Sequence, residues 1–268
     1  MQFIDTHNHV IPFIDDGAED WDVSLEMLNQ AQADGIVELV CTPHVLTNKD
    51  LRDENRFIEK FEELKVRAKD AGILIKLHIG CELYVQPDFD FSYKLATLAQ
   101  NGRYFLMEFP MSMIPPFVEQ HFFTLFSKKH VPIIAHPERN GGIINDVNKA
   151  YELVKKGAML QVTAGSLLGM FGGQVRTVAN QLMDANLVHV IATDAHDVNR
   201  RVLKLKRAYE LVLEKWGPDR AEMLFWTNPK KIINGEEIDI GEPQSFQSAI
   251  QAQPSLQTRV RSFFKMNR

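Results

Sequence analysis

Cysteine is scarce in this chain. The 268 residues hold only two, Cys41 and Cys81. Both lie inside apolar segments, far apart and outside any Cys-x-x-Cys pair, so they read as buried reduced thiols rather than a disulfide or a thiolate metal site. Neither begins the Cys-x5-Arg loop of a thiolate phosphatase, because position 47 is Thr and position 87 is Pro. No apolar run approaches the roughly 20 residues that cross a bilayer, and the N-terminus opens directly on a strand-like segment without the basic and apolar regions of a signal peptide. A cytoplasmic, non-membrane-spanning protein is expected. Basic charge is not in excess either: the formal net charge is -5 and the pI near 6.0. That balance argues against nucleic acid as a partner, which calls for a basic surface. No Gly-x-Gly-x-x-Gly follows any candidate strand, which disfavours a doubly wound dinucleotide-binding sheet.

What remains is ordinary globular composition, 45% hydrophobic and 24% charged, with strands and helices in alternation. β-branched or aromatic apolar runs recur at residues 3–5, 37–41, 73–79, 104–109, 131–135, 159–162 and 188–192, giving seven candidate strands. Helical stripes lie between them. Val23, Met27, Leu28 and Ala31 form one closed by Gly35, and Phe57, Phe61, Leu64 and Ala68 another closed by Gly72. Further helices are expected over residues 118–129, 147–156, 175–185 and 201–216. Strict alternation implies a parallel sheet with right-handed crossovers, and seven units suggest an α/β barrel, distorted or incomplete, whose chemistry sits at the carboxyl ends of its strands.

Those strand ends carry a pattern. The first delivers His7 and His9, two residues apart and therefore on one face, with Asp15 and Asp16 in the loop beyond. The second ends at Thr42-Pro43-His44, the third at Glu82 and the fourth at Glu108. The fifth ends at His136 with Glu138 and Arg139 beyond it, and the seventh at Asp194 and His196. Six of seven strands thus offer a possible ligand to one rim, which argues for metal binding. His78 and His189 fall inside candidate strands and His121 and His130 on or beside a helix, so these four read as structural or solvated. The rim donors His7, His9, Asp16, His44, Glu82, Glu108, His136, Asp194 and His196 number nine, too many for one ion. Two or three divalent ions would share them. Imidazole and carboxylate without thiolate favour Mn, Fe, Zn or Co. Four carboxylates against three such ions leave a charge of about +2, or about +1 with a hydroxide, which suits a phosphate.

His7-Asn8-His9, Asp15-Asp16-Gly17, Thr42-Pro43-His44, Gly80-Cys81-Glu82, Glu108-Phe109, Ala135-His136-Pro137-Glu138-Arg139 and Thr193-Asp194-Ala195-His196 together resemble the polymerase-and-histidinol-phosphatase (PHP) superfamily. Within it the chain is most similar to the bacterial metal-dependent protein tyrosine phosphatases of capsule and exopolysaccharide synthesis. The likeness covers residues 1–238, including Asn228-Pro229 before a last short helix. It implies a distorted seven-stranded barrel and a trinuclear centre, most often manganese. His7, His9, Glu82 and Asp194 would hold the first ion, Glu82, Glu108 and His136 the second, and Asp16, His44 and His196 the third. Arg139 and Arg201 fall where relatives place phosphate-binding arginines. The expected reaction is hydrolysis of a phosphomonoester by a metal-bridging hydroxide, on a phosphotyrosine protein such as the tail of a bacterial tyrosine kinase. A small-molecule phosphatase such as a histidinol-phosphate hydrolase, and a non-catalytic phosphoprotein-binding module, are the alternatives.

Two stretches stand apart. Met111–Phe117 is apolar, proline-bearing and follows Glu108, so it either lines an entrance for an aromatic ring or packs as an ordinary loop. Residues 239–268 read as a C-terminal extension ending in Arg259, Arg261, Phe263, Phe264, Lys265 and Arg268. Nothing in the sequence fixes the oligomeric state.

Overall fold

A computed structural model of the chain describes residues 1–239. The chain opens on β1 (Phe3–Asp5), buried along its whole length. Helix α1 (Trp21–Asp34) follows. Its N-terminus is capped by Asp20, whose side chain accepts the Val23 N–H at 2.9 Å, and it ends at Gly35, whose φ of 101° suits the left-handed turn that closes a helix. Its stripe of Ser24, Met27, Leu28 and Ala31 is buried. Next come β2 (Ile36–Cys41), β3 (His44–Val45), α2 (Asn48–Arg52) and α3 (Glu54–Asp70), which buries Phe57, Phe61, Leu64 and Ala68. β4 (Lys76–Ile79), β5 (Glu82–Tyr84), β6 (Tyr104–Glu108), α4 (Val118–Ser127) and β7 (Val131–Ala135) continue the alternation. The last third holds α5 (Gly141–Asn145), α6 (Asn148–Lys155), β8 (Met159–Thr163), α7 (Ala164–Leu167), α8 (Gly173–Asp184) and β9 (Val190–Ala192). It closes with α9 (Lys206–Trp216), α10 (Pro218–Glu222), a π-helical turn over Met223–Thr227, and α11 (Asn228–Asn234).

Every strand pairing is parallel. One group runs β1-β2-β4 and the other β3-β5-β6-β7-β8-β9. The break between them is local. β2 and β3 are one strand path interrupted by Thr42-Pro43, where proline has no N–H to give a ladder, and β4 and β5 are one path interrupted by Gly80-Cys81. Backbone bonds carry the ladder across the interruptions: Thr42 N–H to Asn8 O (2.9 Å), Gly80 N–H to Cys41 O (2.9 Å) and Glu82 N–H to Pro43 O (3.1 Å). Nine short strands are therefore seven strand paths. The last meets the first through Asp194 N–H to His7 O (2.8 Å), His9 N–H to Ala195 O (2.8 Å) and the parallel bridge between Asn8 and Ala195. The sheet closes into the distorted (β/α)7 barrel expected from the alternation.

Ile4, Val40, Leu106, Ile133, Met159 and Val190, drawn from six of the seven paths, share one apolar cluster with Ile232 and Ile233 of α11. A cluster fed by so many strands is the barrel interior, and α11 plugs its amino-terminal end. Glu38, two residues before Val40 and on the same face, lies at that end, where Lys76, His78 and Lys230 reach it at 3.0, 2.7 and 2.5 Å. The larger core lies outside, between strands and helices.

Some expected boundaries move. The third strand begins at Lys76 rather than residue 73, and the last at Val190, so His189 stands just before it. The helix expected from Arg201 begins at Lys206, because Asp34 accepts the N–H groups of Leu205 and Lys206 (2.7 and 2.8 Å) and fixes the helix start there. The basic and aromatic tail lies outside the described residues.

Candidate metal centre

At the carboxyl rim, backbone geometry aims the side chains inward. His136 and Asp194 follow β7 and β9 with left-handed φ of 34° and 52°, a conformation that side-chain-bearing residues adopt rarely and that concentrates at functional sites. Asp5, wholly buried, holds the closing seam: it accepts Thr193 N–H (2.7 Å), Thr193 Oγ1–H (2.9 Å) and Asn8 Nδ2–H (2.9 Å), and burial lifts its pKa to about 6.

His7 Nε2 and His9 Nε2 stand 3.2 Å apart. Glu82 Oε2 lies 3.1 and 3.3 Å from them, and Asp194 Oδ1 3.4 and 3.6 Å. A tetrahedral ion with bonds of about 2.0–2.1 Å holds its ligands about 3.3–3.4 Å apart, so these four atoms have the spacing of one coordination shell. A second group is His9, Asp16, His44 and His196, with Asp16 Oδ1 3.5 Å from both His44 Nε2 and His196 Nε2. The third brings Glu108 and His44 to Glu82. His136 Nε2 faces the same pair of carboxylates, 2.9 Å from Glu82 Oε1 and 3.6 Å from Glu108 Oε1. All nine expected donors thus meet at one rim, with Glu82 at the centre. His78, His121, His130 and His189 lie elsewhere. His78 binds Glu38, His121 Nε2 donates to Gln86 O (2.6 Å), the His130 ring packs against Phe105, and His189 Nδ1 accepts Leu160 N–H (3.1 Å).

The donor set fits divalent cations on two grounds. Buried Glu82 Oε2, His44 Nδ1 and His196 Nε2 make no hydrogen bond among the described residues, although each lies close to other donors of the cluster. Their lone pairs are costly to leave buried without a partner. The proton affinities show the same shortage of positive charge. Burial alone would lower the pKa of His7, yet the charges of Glu82 and Asp194 raise it; His9 is raised further, against burial, by its bond to Asp15 and by the carboxylates of Asp194 and Glu82 beside it. Glu82 and Asp194 stay well below the carboxylate range despite burial, because His7 faces both. Burial, then the charge of Glu82, pushes Glu108 up to about 8, while burial and nearby His9 hold His196 down to about 3. Carboxylates without metal draw protons into positions that cations would fill.

Three supporting residues had no assigned role in the sequence reading. Gln161 Oε1 accepts from His7 Nδ1 (2.7 Å), so the sixth strand path, which supplies no ligand, orients one. Asp15 Oδ2 accepts from His9 Nδ1 (2.8 Å) and His44 N–H (2.9 Å), which holds its carboxyl down at about 2 against the effect of burial. Glu138 Oε1 accepts Ser166 Oγ–H (2.6 Å) and Thr163 N–H (3.0 Å), tying the His136-Pro137-Glu138-Arg139 turn to the end of β8. Their sequence signal is a polar side chain within an apolar strand or directly beside a ligand.

Arg139 and Arg201 converge on one atom. Their guanidiniums lie 2.7 and 2.6 Å from Asp194 Oδ2, the oxygen turned away from the two histidines. Arg139 also stacks over Phe171 at 4.8 Å. The Nε of each arginine is buried and makes no hydrogen bond among the described residues. Cys41 and Cys81 are free, fully buried and pushed up in pKa by burial, so neither is a thiolate. The Met111–Phe117 loop hangs on Asn140, whose Nδ2 donates to Pro110 O (2.8 Å) and Met113 O (3.1 Å), with Met111 and Met113 exposed.

Similarity to known proteins runs the length of this architecture. CapC of Staphylococcus aureus is 35% identical over 88% of this chain and 92% of its own. The tyrosine-protein phosphatase YwqE of Bacillus subtilis is 33% identical over 90% of this chain and 95% of its own. A crystal structure from work on YwqE and on CpsB of Streptococcus pneumoniae, described as metal-dependent tyrosine phosphatases, superposes with a TM-score of 0.81 at 33% identity, covering 90% of this chain and 98% of that one. The family model for capsular polysaccharide synthesis, CpsB/CapC, matches residues 3–234, nearly the whole described barrel, and the chain belongs to that family.

Proposed function

We propose that this chain is a metal-dependent protein-tyrosine phosphatase acting in the cytoplasm on a phosphotyrosine protein, the tail of a bacterial tyrosine kinase that controls capsule or exopolysaccharide synthesis. Residues 1–238 form its catalytic domain. The observation that carries the reading is the meeting of nine imidazole and carboxylate donors with two guanidiniums on one rim of a barrel of this family.

His7, His9, Glu82 and Asp194 would hold one ion, Glu82, Glu108 and His136 a second, and Asp16, His44 and His196 a third, with manganese the native metal ahead of Fe, Co and Zn. Such ions, when bound, supply Lewis acidity that acidifies water and neutralises phosphoryl oxygens. The protein's own groups do the rest. Gln161 and Asp15 each take one ring nitrogen of His7 and His9, leaving the opposite Nε2 atoms aimed at the cluster. Arg139 and Arg201 both hold Asp194 beside the cluster, where a planar guanidinium would suit an incoming phosphate. A tyrosyl leaving group, with a pKa near 10, departs with little acid assistance. With both thiols buried and protonated, a cysteinyl-phosphate route is closed.

The test is protein purified without chelator or metal-affinity resin, assayed for bound metal and then for hydrolysis of a phosphotyrosine peptide and of histidinol phosphate after reconstitution with Mn, Fe, Co or Zn. Two or three ions per chain and faster release from the peptide support the reading. Full activity after exhaustive chelation, or a clear preference for histidinol phosphate, overturns it.

A further inference from the structure

Beside the metal rim lies a cavity of about 540 Å³ that the phosphatase chemistry leaves unexplained. It adjoins the centre through three residues. Thr193 precedes Asp194, Arg201 reaches Asp194 Oδ2 at 2.6 Å, and Phe171 carries the Arg139 guanidinium on its face. The rest of its lining includes apolar Leu168, Met170 and Phe171 together with the cations Arg200, Lys204 and Arg207.

Charge sets this cavity apart. The chain as a whole carries -5, yet the cavity lining has four cations, with Arg201, against the single carboxylate of Asp34. Asp34 is already engaged: its Oδ2 accepts the N–H groups of Leu205 and Lys206. Among the described residues, Arg200, Lys204 and Arg207 form no salt bridge with a carboxylate, while Arg201 faces Asp194. Exposed cations with no partner around a pocket create a local positive potential, and low-dielectric walls focus it. Among the apolar lining residues, Met170 is half open to solvent. A peptide threading away from the metal rim would thus meet both apolar surface and positive charge.

We propose that this cavity is a substrate subsite for acidic residues flanking the phosphotyrosine, with Arg200, Lys204 and Arg207 as the cations that determine specificity. The proposal rests on the phosphatase reading of the adjoining centre. It names carboxylate-bearing peptide as the occupant because the cavity is contiguous with the arginines that would grip the phosphate.

Two phosphotyrosine peptides of equal length test it, one with Asp and Glu beside the phosphotyrosine and the other with Asn and Gln, alongside a small aryl phosphate with no peptide. With metal-loaded full-length enzyme at low salt, kcat/KM should be about tenfold higher for the acidic peptide, chiefly through KM, as two or three solvent-screened ion pairs would give. The advantage should shrink in 0.5 M NaCl. In Lys204→Glu/Arg207→Glu the acidic-to-neutral ratio should fall to one or below, with aryl phosphate as the internal reference. Equal rates on both peptides at low salt, or a preference that survives the charge reversal, overturn the subsite while leaving the phosphatase intact. Failure to hydrolyse either peptide and the aryl phosphate removes the phosphatase reading and this proposal with it.

Discussion

His9 is held from both ends. Its Nδ1 donates to Asp15 and its Nε2 faces His7, Glu82 and Asp194, so the ring has no rotational freedom left. Removing the outer support should therefore loosen the ligand. Asp15→Asn and Gln161→Ala are each expected to weaken metal affinity or turnover by about 10–100-fold without unfolding the barrel, as outer-shell losses do, and metal titration with circular dichroism would check both. Unchanged affinity in both variants would show that these bonds only pack the loop. Gly17 is a sharper probe of the same ring: a Cβ there would stand 2.1 Å from His9 O and 2.4 Å from His9 Cβ. Gly17→Ala must push His9 aside, so metal binding should drop further than in Asp15→Asn, whereas a near-native titration curve would mean the loop yields instead. His7→Ala and His9→Ala should abolish hydrolysis while leaving the barrel folded, and near-normal turnover in either would remove the proposed centre. The donors that meet at the rim were legible in the sequence because all but Asp16, which lies in the loop after the first strand, stand at or just beyond the end of an expected strand. The support from Gln161 was not, because it acquires a role only when distant strand paths are brought side by side in the closed barrel, whereas Asp15 acts on His9 from six residues away through a loop whose shape no periodic pattern announces.

Elements were readable where periodicity and a cap agreed. The stripe of α3 is buried as expected and that of α1 too except at Val23, which is half-buried while Ser24 is buried, and Gly35 ends α1, because both signals are local. The start of α9 was misplaced by five residues because its determinant, Asp34, sits 171 positions away from Leu205. The interruptions at Thr42-Pro43 and Gly80-Cys81 were also hidden, since the apolar pattern runs through them. At the opposite end of the barrel, α11 is tied to β2 by Glu38, which is 4% exposed and bonded to Lys230, His78 and Lys76. Burial would raise its pKa, but the bonds to these three, Lys230 first, bring it down to about 2. With the folded value below the unfolded one near 4.5, Glu38 stabilises the fold above that pH, and the contribution is lost as pH falls from about 4.5 toward 2. Glu38→Gln should cost about 1–3 kcal/mol at neutral pH, with the difference from the parent narrowing across that acid window in urea melts. A constant difference down to pH 2 would mean that shape, not charge, holds the plug.

At the scale of the molecule, the seven-path count came directly from seven apolar runs, although hydrogen bonding divides them into nine strands. The count survives because parallel order and short crossovers leave the chain few alternatives. Closure has an electrostatic consequence. The barrel gathers Glu82, Asp194 and Glu108, buried or half-buried, and the exposed Asp16 at one rim among the five histidines His7, His9, His44, His136 and His196, so folding places three carboxylates where solvent cannot screen them well. Cations that bind only this assembled rim must therefore stabilise the whole barrel. One site filled to about 100 times its Kd adds about 2.7 kcal/mol, and for a domain of this size that raises Tm by about 5–11 °C. Calorimetry of chelated protein against protein refilled with manganese should show at least that shift, with a larger one if the shared Glu82 lets a second ion follow the first. The His7→Ala variant, lacking one corner of the four-donor set, should lose most of the shift. Identical melting curves with and without metal in the parent chain would mean that the rim tolerates its buried carboxylates without cations, and the metal centre would fall on stability alone, independently of any activity assay.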